Sequence, residues 1–216
     1  MAARWRLWKD PMSEATLRPR RREQTRARLL EAAHEVFGEV GMDAASVETI
    51  CERAGFTRGA FYSNFESKDE LFLALISQLA EEKLQDVAER VQALGPDAAI
   101  DLAGLVHRVV DVSVGQQMEP QLISEIRTQA LRDPRLAAAF LAWQDAMRRR
   151  VEDIIVRVVE AYGLRLRLPI EEAAQLLLDI ADDTCTRATL EGRGEREIGT
   201  LLNRRIESLV GVLVDA

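Results

Sequence analysis

The sequence predicts an all-α protein: a small N-terminal helix-turn-helix domain, a long connector helix and a helical C-terminal domain. Three observations predict it. Leu and Ala dominate, with Arg and Glu close behind, and that composition favours helix. Apolar residues recur at steps of three and four along most of the chain. No run of alternating β-branched residues reads as a strand. A chain of 216 residues accommodates one core, or a domain of ~60 residues beside a larger one.

Residues 1–19 hold Pro11 and Pro19 and show no helical period, which predicts a flexible basic arm. Met12, followed by Ser13-Glu14-Ala15, is read as an alternative start. From 21 to 40, Leu29, Leu30, Ala33, Val36, Phe37 and Val40 fall on one helical face. Gly41 follows, where a left-handed cap is wanted. Ser46 can cap a second helix over 47–53, with Val47, Ile50, Cys51 and Ala54 on one face and Gly55 at its end. Thr57 can cap a third, very short helix through Tyr62.

Ser67 and Glu70 form a capping box that opens a long helix through Leu71, Phe72, Leu75, Ile76, Leu79, Leu84, Val87 and Val91. Gly95-Pro96 stops it, so over 67–93 it is ~40 Å long, a length that suits a connector. Further helices are expected over 97–117, 120–131 and 133–162, the last opened by Asp133-Pro134. After a linker at 163–168 come helices over 169–191 and from 195 onward. The domains expected are the arm at 1–19, a helix-turn-helix domain at 20–66, the connector at 67–93 and an effector-binding and dimerisation domain at 97–216.

A net charge of −7 does not suggest a nucleic-acid binder, but its distribution is uneven. Residues 1–28 hold nine Arg and Lys against three Asp and Glu, while 66–216 hold 18 basic against 27 acidic. A basic end on an acidic body suits local contact with phosphate, and a solvated basic tail fits the same counts. No stretch approaches the ~20 apolar residues of a membrane span, and the start lacks the apolar centre of a signal peptide. Cys51 and Cys185 lie far apart, which reads as free thiols in a cytoplasmic protein. His34 and His107 sit in no metal-spaced motif, and no phosphate loop or nucleophile elbow is present. An enzyme therefore lacks an inventory of catalytic or metal residues, and no cofactor is expected.

Three short helices, the second and third joined by Ala54-Gly55-Phe56, fit a helix-turn-helix. Its third helix would carry Thr57, Arg58, Tyr62, Ser63 and Asn64 toward a duplex, with small Gly59 and Ala60 allowing close backbone approach. Phe61 and Phe65 would point into the small core. Lys68 sits at the start of the long helix, where the amides and dipole already favour an anion.

The run from Ala54 through Asn64 and Lys68 to Leu71 resembles the signature of the TetR/AcrR family, and Arg26 to Ala33 and Val36 to Gly41 are similar to the family's first helix. The resemblance covers 22–82. It implies phosphate contacts from Tyr62, Lys68, Thr57 and Ser46, less directly from Thr25. It implies base or backbone approach by Arg58, Gly59, Ser63 and Asn64, Asn64 standing where the family often has His. Arg20, Arg21 and Arg22 either reach a flanking minor groove or form a solvated cluster.

The resemblance further implies a homodimer on double-stranded operator DNA, most simply a repressor released by a small-molecule effector. A ligand-controlled activator and a helical adaptor that binds no DNA are the alternatives. Effector candidates are His107, Met118, Phe140, Trp143, Met147, Tyr162 and Cys185, which stand out among aliphatics; each also fits plain core. The helix over 169–191 and the last helix are apolar around much of their circumference. Pairing them across a two-fold would place Leu177, Ile180, Ala181, Leu202, Ile206, Leu209 and Leu213 in the dimer interface.

Overall fold

A computed structural model describes the backbone over 11–93 and 120–215, and side chains over 21–93 and 120–215. The expected helix at 97–117, with His107 and the Gly95-Pro96 stop, lies outside the described residues, as do Met118, residues 1–10 and the side chain of Arg20. Among the described residues there are eight helices: α1 (Pro11–Ala44), α2 (Val47–Ala54), α3 (Arg58–Tyr62), α4 (Lys68–Ala93), α5 (Pro120–Ala130), α6 (Pro134–Tyr162), α7 (Ile170–Leu190) and α8 (Glu195–Leu213). The chain divides into two compact units, Met1–Leu75 and Ile76–Ala216, and the division falls inside α4. None of the described helices is long and apolar enough to cross a membrane.

Most helix ends obey local chemistry. Ser46 caps α2 by accepting the Thr49 N–H at 3.0 Å, and Thr57 caps α3 by accepting from Ala60 N at 3.3 Å. Asp133 accepts from Arg135 N at 2.8 Å, with Pro134 in the first helical position, where no N–H is missed. Gly163 ends α6 in the left-handed region, φ 62 and ψ 27. Ser67 accepts from Glu70 N at 3.1 Å, as a capping box requires, but the Glu70 carboxylate reaches Glu66 N rather than Ser67 N.

Three expectations change. Helix α1 is continuous from Pro11, so the arm expected over 1–19 is helical in its second half; the good helix formers around Pro19 outweigh it. Gly41 has φ 77 and ψ 166, a kink in a region only glycine enters readily, and not the left-handed cap. The linker after Gly163 holds a strand, β1 (Arg165–Leu166), antiparallel to β2 (Val214–Asp215) at the end of the last helix. Two-residue strands leave no periodicity to read; Arg167 anchors the pair, its N–H on the Leu213 carbonyl at 2.8 Å and its guanidinium on Asp215 at 2.6 Å.

The first unit has its own core. Leu29, Ala33, Val36 and Phe37 of α1 are buried, as are Ile50 of α2, Phe61 of α3, Phe65 and the α4 residues Leu71 and Phe72. Phe37 and Phe72 lie 5.0 Å apart, Phe61 and Phe65 5.8 Å. In the second unit, α5, α6, α7 and α8 pack in sequence, and Val91 of α4 closes on Ile154, Val158 and Tyr162 of α6.

Candidate nucleic-acid interface and ligand cavity

Helix α3 has five residues, too few to be stable alone, so its surroundings must hold it. The turn from α2 depends on Gly55, whose φ of 71 and ψ of 35 favour glycine. Its N–H and that of Phe56 satisfy the Glu52 and Cys51 carbonyls. Two arginines of α1 then clamp the motif. Arg28 donates to the Ala54 carbonyl at 2.9 Å and lies 4.9 Å from the Phe56 ring centroid. Arg26 donates to the Asn64 carbonyl at 3.1 Å and sits 4.2 Å above Phe65. Sequence reasoning saw these arginines only as part of a basic run. The signal that they face the motif was register: Arg26 lies three and four residues before the buried Leu29 and Leu30, and Arg28 four before the buried Ala32.

Clamped this way, α3 presents Thr57, Arg58, Gly59, Tyr62 and Ser63 as exposed, with Ala60 half-buried and Phe61 as the buried anchor. Arg58 pairs with Glu48 of α2 at 2.6 Å and stands 5.9 Å from the Tyr62 ring centroid. Its pKa is raised, first by the hydrogen bond with Tyr62 and then by Glu48, so the guanidinium stays charged. Both partners are open to water, so Arg58 is easily released to another acceptor. Tyr62 stacks edge-on against Phe61 at 5.2 Å and leaves 51% of its surface exposed. Ser63 donates to the Ala60 carbonyl at 2.8 Å, and Thr25 donates to the Arg21 carbonyl at 2.9 Å. Arg21 and Arg22 are exposed.

Two residues expected at the DNA have hydrogen-bond partners within the chain. Asn64 is buried, with 8% exposure, and its amide donates to the Ala60 carbonyl at 2.8 Å and to Ser63 Oγ at 3.2 Å. It closes the end of α3 and does not present a reading group. Lys68 is half-buried, and its ammonium donates to the Met42 carbonyl at 2.6 Å and the Ala45 carbonyl at 2.9 Å. An ammonium has three donors, so at most one remains for a phosphate. Its main partners are two carbonyls that follow the Gly41 kink in the chain.

The second unit holds a cavity of about 750 Å³ that is partly open to solvent. Carbon lines most of it, from α4 (Leu84, Val87), α6 (Ile155, Val158) and α8 (Ile206, Val210). Trp143, Met147 and Cys185 line it as the sequence suggested, whereas Phe140 is buried against Trp143, with ring centroids 5.4 Å apart, and Tyr162 packs beside Val91. Asp182 lines the cavity and pairs with Arg127 at 2.8 Å; Asp183 is exposed and pairs with Arg205 at 2.7 Å. Sequence reasoning missed Lys83. Burial lowers its pKa to about 8, against the pull of Cys185, Asp86 and Glu195. The signal was its register: Leu79, Ala80, Lys83, Leu84 and Val87 share one stripe of α4.

The residues expected at a dimer interface are largely used within the chain. Leu202 and Ile206 of α8 are buried against Leu177, Ile180, Ala181, Cys185 and Val210, and Leu213 packs with Ala173, Val214 and Leu209. The breadth of the apolar stripes reflects a seam between α7 and α8 plus the cavity wall. The large apolar residues left exposed on these two helices are Leu176, Leu190 and Val212.

Residues 29–75 match the family model described as bacterial regulatory proteins of the tetR family. The chain is 31% identical over 116 residues to the HTH-type transcriptional regulator UidR of Escherichia coli K12, a stretch covering 54% of this chain and 57% of UidR. It is 29% identical over 181 residues to the HTH-type transcriptional repressor AcnR of Corynebacterium glutamicum, covering 79% of this chain and 87% of AcnR. Its fold is similar to the crystal structure of the transcriptional regulator FadR of Bacillus subtilis in complex with stearoyl-CoA. There the TM-score is 0.65 at 18% identity, over 85% of this chain and 97% of FadR.

Proposed function

We propose that this chain is a regulator of the TetR type, whose family model it matches over 29–75, and that it binds double-stranded operator DNA as a homodimer and leaves it when a small-molecule effector binds. The observation that carries the reading is the outward face of α3: Thr57, Arg58, Tyr62 and Ser63 exposed on a short helix rooted by Phe61. Hydroxyls, a phenol and a guanidinium are groups that donate to phosphates and base edges in a major groove. Two such helices related by a two-fold can meet half-sites one or more helical turns apart. Thr25, Ser46 and the remaining Lys68 donor are secondary phosphate contacts in this reading, and Gly59 lets the backbone approach.

The cavity supports effector control, as does the name of AcnR, a repressor, and the stearoyl-CoA bound to FadR. Effector binding acts on the operator affinity through α4, which is continuous across the division between the units. A 100-fold loss of operator affinity needs only ~2.7 kcal/mol of preference by the effector for the released state. The reading assigns the protein no catalytic step and places it in the cytoplasm.

The test is binding to the promoter DNA beside its own gene, followed by fluorescence anisotropy at several salt concentrations. Tyr62→Ala and Arg58→Ala should each weaken binding ~10-fold while the circular dichroism spectrum and oligomeric state stay as in the parent. An unchanged affinity removes α3 as the reader. Absence of any salt-dependent DNA binding favours the helical adaptor.

A further inference from the structure

The polar groups of the cavity are unequally provided for. Arg127 is neutralised by Asp182, and Gln175 donates to Asp179 at 2.8 Å. The lining carboxylates Asp86, Asp145 and Asp179 are exposed, so water serves them and no cationic ligand is needed. Two donors differ. Lys83 is half-buried and has no hydrogen bond or ion pair among the described residues, while burial pulls its pKa to about 8. The indole Nε1–H of Trp143 is buried and has no acceptor among the described residues. The charged groups that face Lys83 are the carboxylates of Asp86, on its own helix, and Glu195 of α8, both exposed to water, while the Cys185 thiol of α7 is pushed up by burial and therefore uncharged at neutral pH. A desolvated cation and a buried N–H without acceptors, set in a carbon-lined chamber, are the complement of an acceptor-rich, negatively charged group.

We propose that the cavity takes an amphipathic ligand with an apolar body and a carboxylate-type head, Lys83 pairing with the head and the Trp143 indole N–H donating to a second acceptor. The proposal rests on the reading of the cavity as the effector site and names the chemistry of that effector. Apolar burial supplies affinity for any molecule of the right size. The head supplies discrimination, because an alcohol or a cation leaves the ammonium unpaired.

The experiment titrates the full-length protein calorimetrically, below micelle-forming concentrations, with three probes of one chain length: decanoate, decanol and decyltrimethylammonium. Decanoate should bind ~10-fold more tightly than decanol, and the cation more weakly than either. Lys83→Met keeps the aliphatic stem and should abolish the advantage of decanoate without changing decanol. Lys83→Arg should retain it, and Trp143→Phe should lower decanoate affinity by a smaller factor. Decanol or the cation binding as well as decanoate overturns the proposal. So does a Lys83→Met variant that binds decanoate like the parent, or a parent that does not bind decanoate. DNA affinity is measured separately on the same preparations. Operator binding without carboxylate binding sinks this inference alone, and carboxylate binding without operator binding sinks the regulator reading alone.

Discussion

Replacing Lys68 by Met removes an ammonium that bridges two main-chain carbonyls while keeping most of the stem that lies over them. The bonds to Met42 and Ala45 are 2.6 and 2.9 Å long, and each is charge-assisted. Such bonds contribute ~1.5–3 kcal/mol apiece when buried. Lys68 is half-buried, so water takes over part of the lost bonding, and a net loss of about 2 kcal/mol is expected. For a chain of 216 residues that lowers the melting temperature by ~4–8 °C. The assay is thermal denaturation by circular dichroism, run beside operator binding at a series of salt concentrations. A lysine acting mainly on phosphate would behave otherwise: melting would hold, and the salt slope would fall by ~0.9 for each protomer. A melting temperature equal to the parent's, with that fall in slope, refutes the role of Lys68 as a tie between the start of α4 and the chain after the Gly41 kink.

The two positive-φ glycines of the first unit should differ in their tolerance of a side chain. Gly55→Ala meets only the Arg28 guanidinium, at an ordinary 3.5 Å, and should cost ~1 kcal/mol for its left-handed backbone; Gly41→Ala, at φ 77 and ψ 166, should cost ~2–3 kcal/mol in urea denaturation. Burial lowers the Lys83 pKa to about 8, against the opposing pull of Cys185 on α7, Asp86 on its own helix and Glu195 on α8. Because its folded pKa lies below the ordinary lysine value, burying the charge disfavours folding below pH 8, and the penalty disappears as pH rises toward ~10.4. Decanoate affinity should accordingly hold below pH 8 and fall above it, and the fall should be absent in Lys83→Met. In sedimentation, Leu176→Glu and Val212→Glu should weaken a dimer without unfolding the protomer, whereas Leu202→Glu should cause misfolding, since Leu202 is 6% exposed within one chain. Dimers that persist in both surface variants move the interface off α7 and α8.

What the sequence made legible was mostly local. Ser46, Thr57 and Asp133 are caps because a short side-chain oxygen reaches an N–H two or three residues ahead, a fact contained in a few letters. Gly55 and Gly163 are helix ends for similar reasons. The misplaced residues depend on partners far along the chain or on competition between faces. Lys68 looked like an anion contact because it sits at a helix start, but its acceptors lie 26 and 23 residues upstream. Asn64 is polar and follows the reading face, yet one further step turns it inward onto Ala60. Leu202 and Ile206 are apolar enough for an interface, and periodicity cannot say whether the covering surface belongs to the same chain. Lys83 was hidden in the charged run Glu81-Glu82-Lys83, although its register put it on the apolar stripe.

Helix α3 has no stability of its own; its five residues are kept in place by Phe61, by the Gly55 turn and by two guanidiniums reaching over from α1. Its order is thus borrowed from the N-terminal core. Warming, or any substitution that loosens that core, dissolves the reading surface along with it, even when every residue facing outward is untouched. Loss of operator affinity on heating should therefore follow the N-terminal melting curve and show no earlier step.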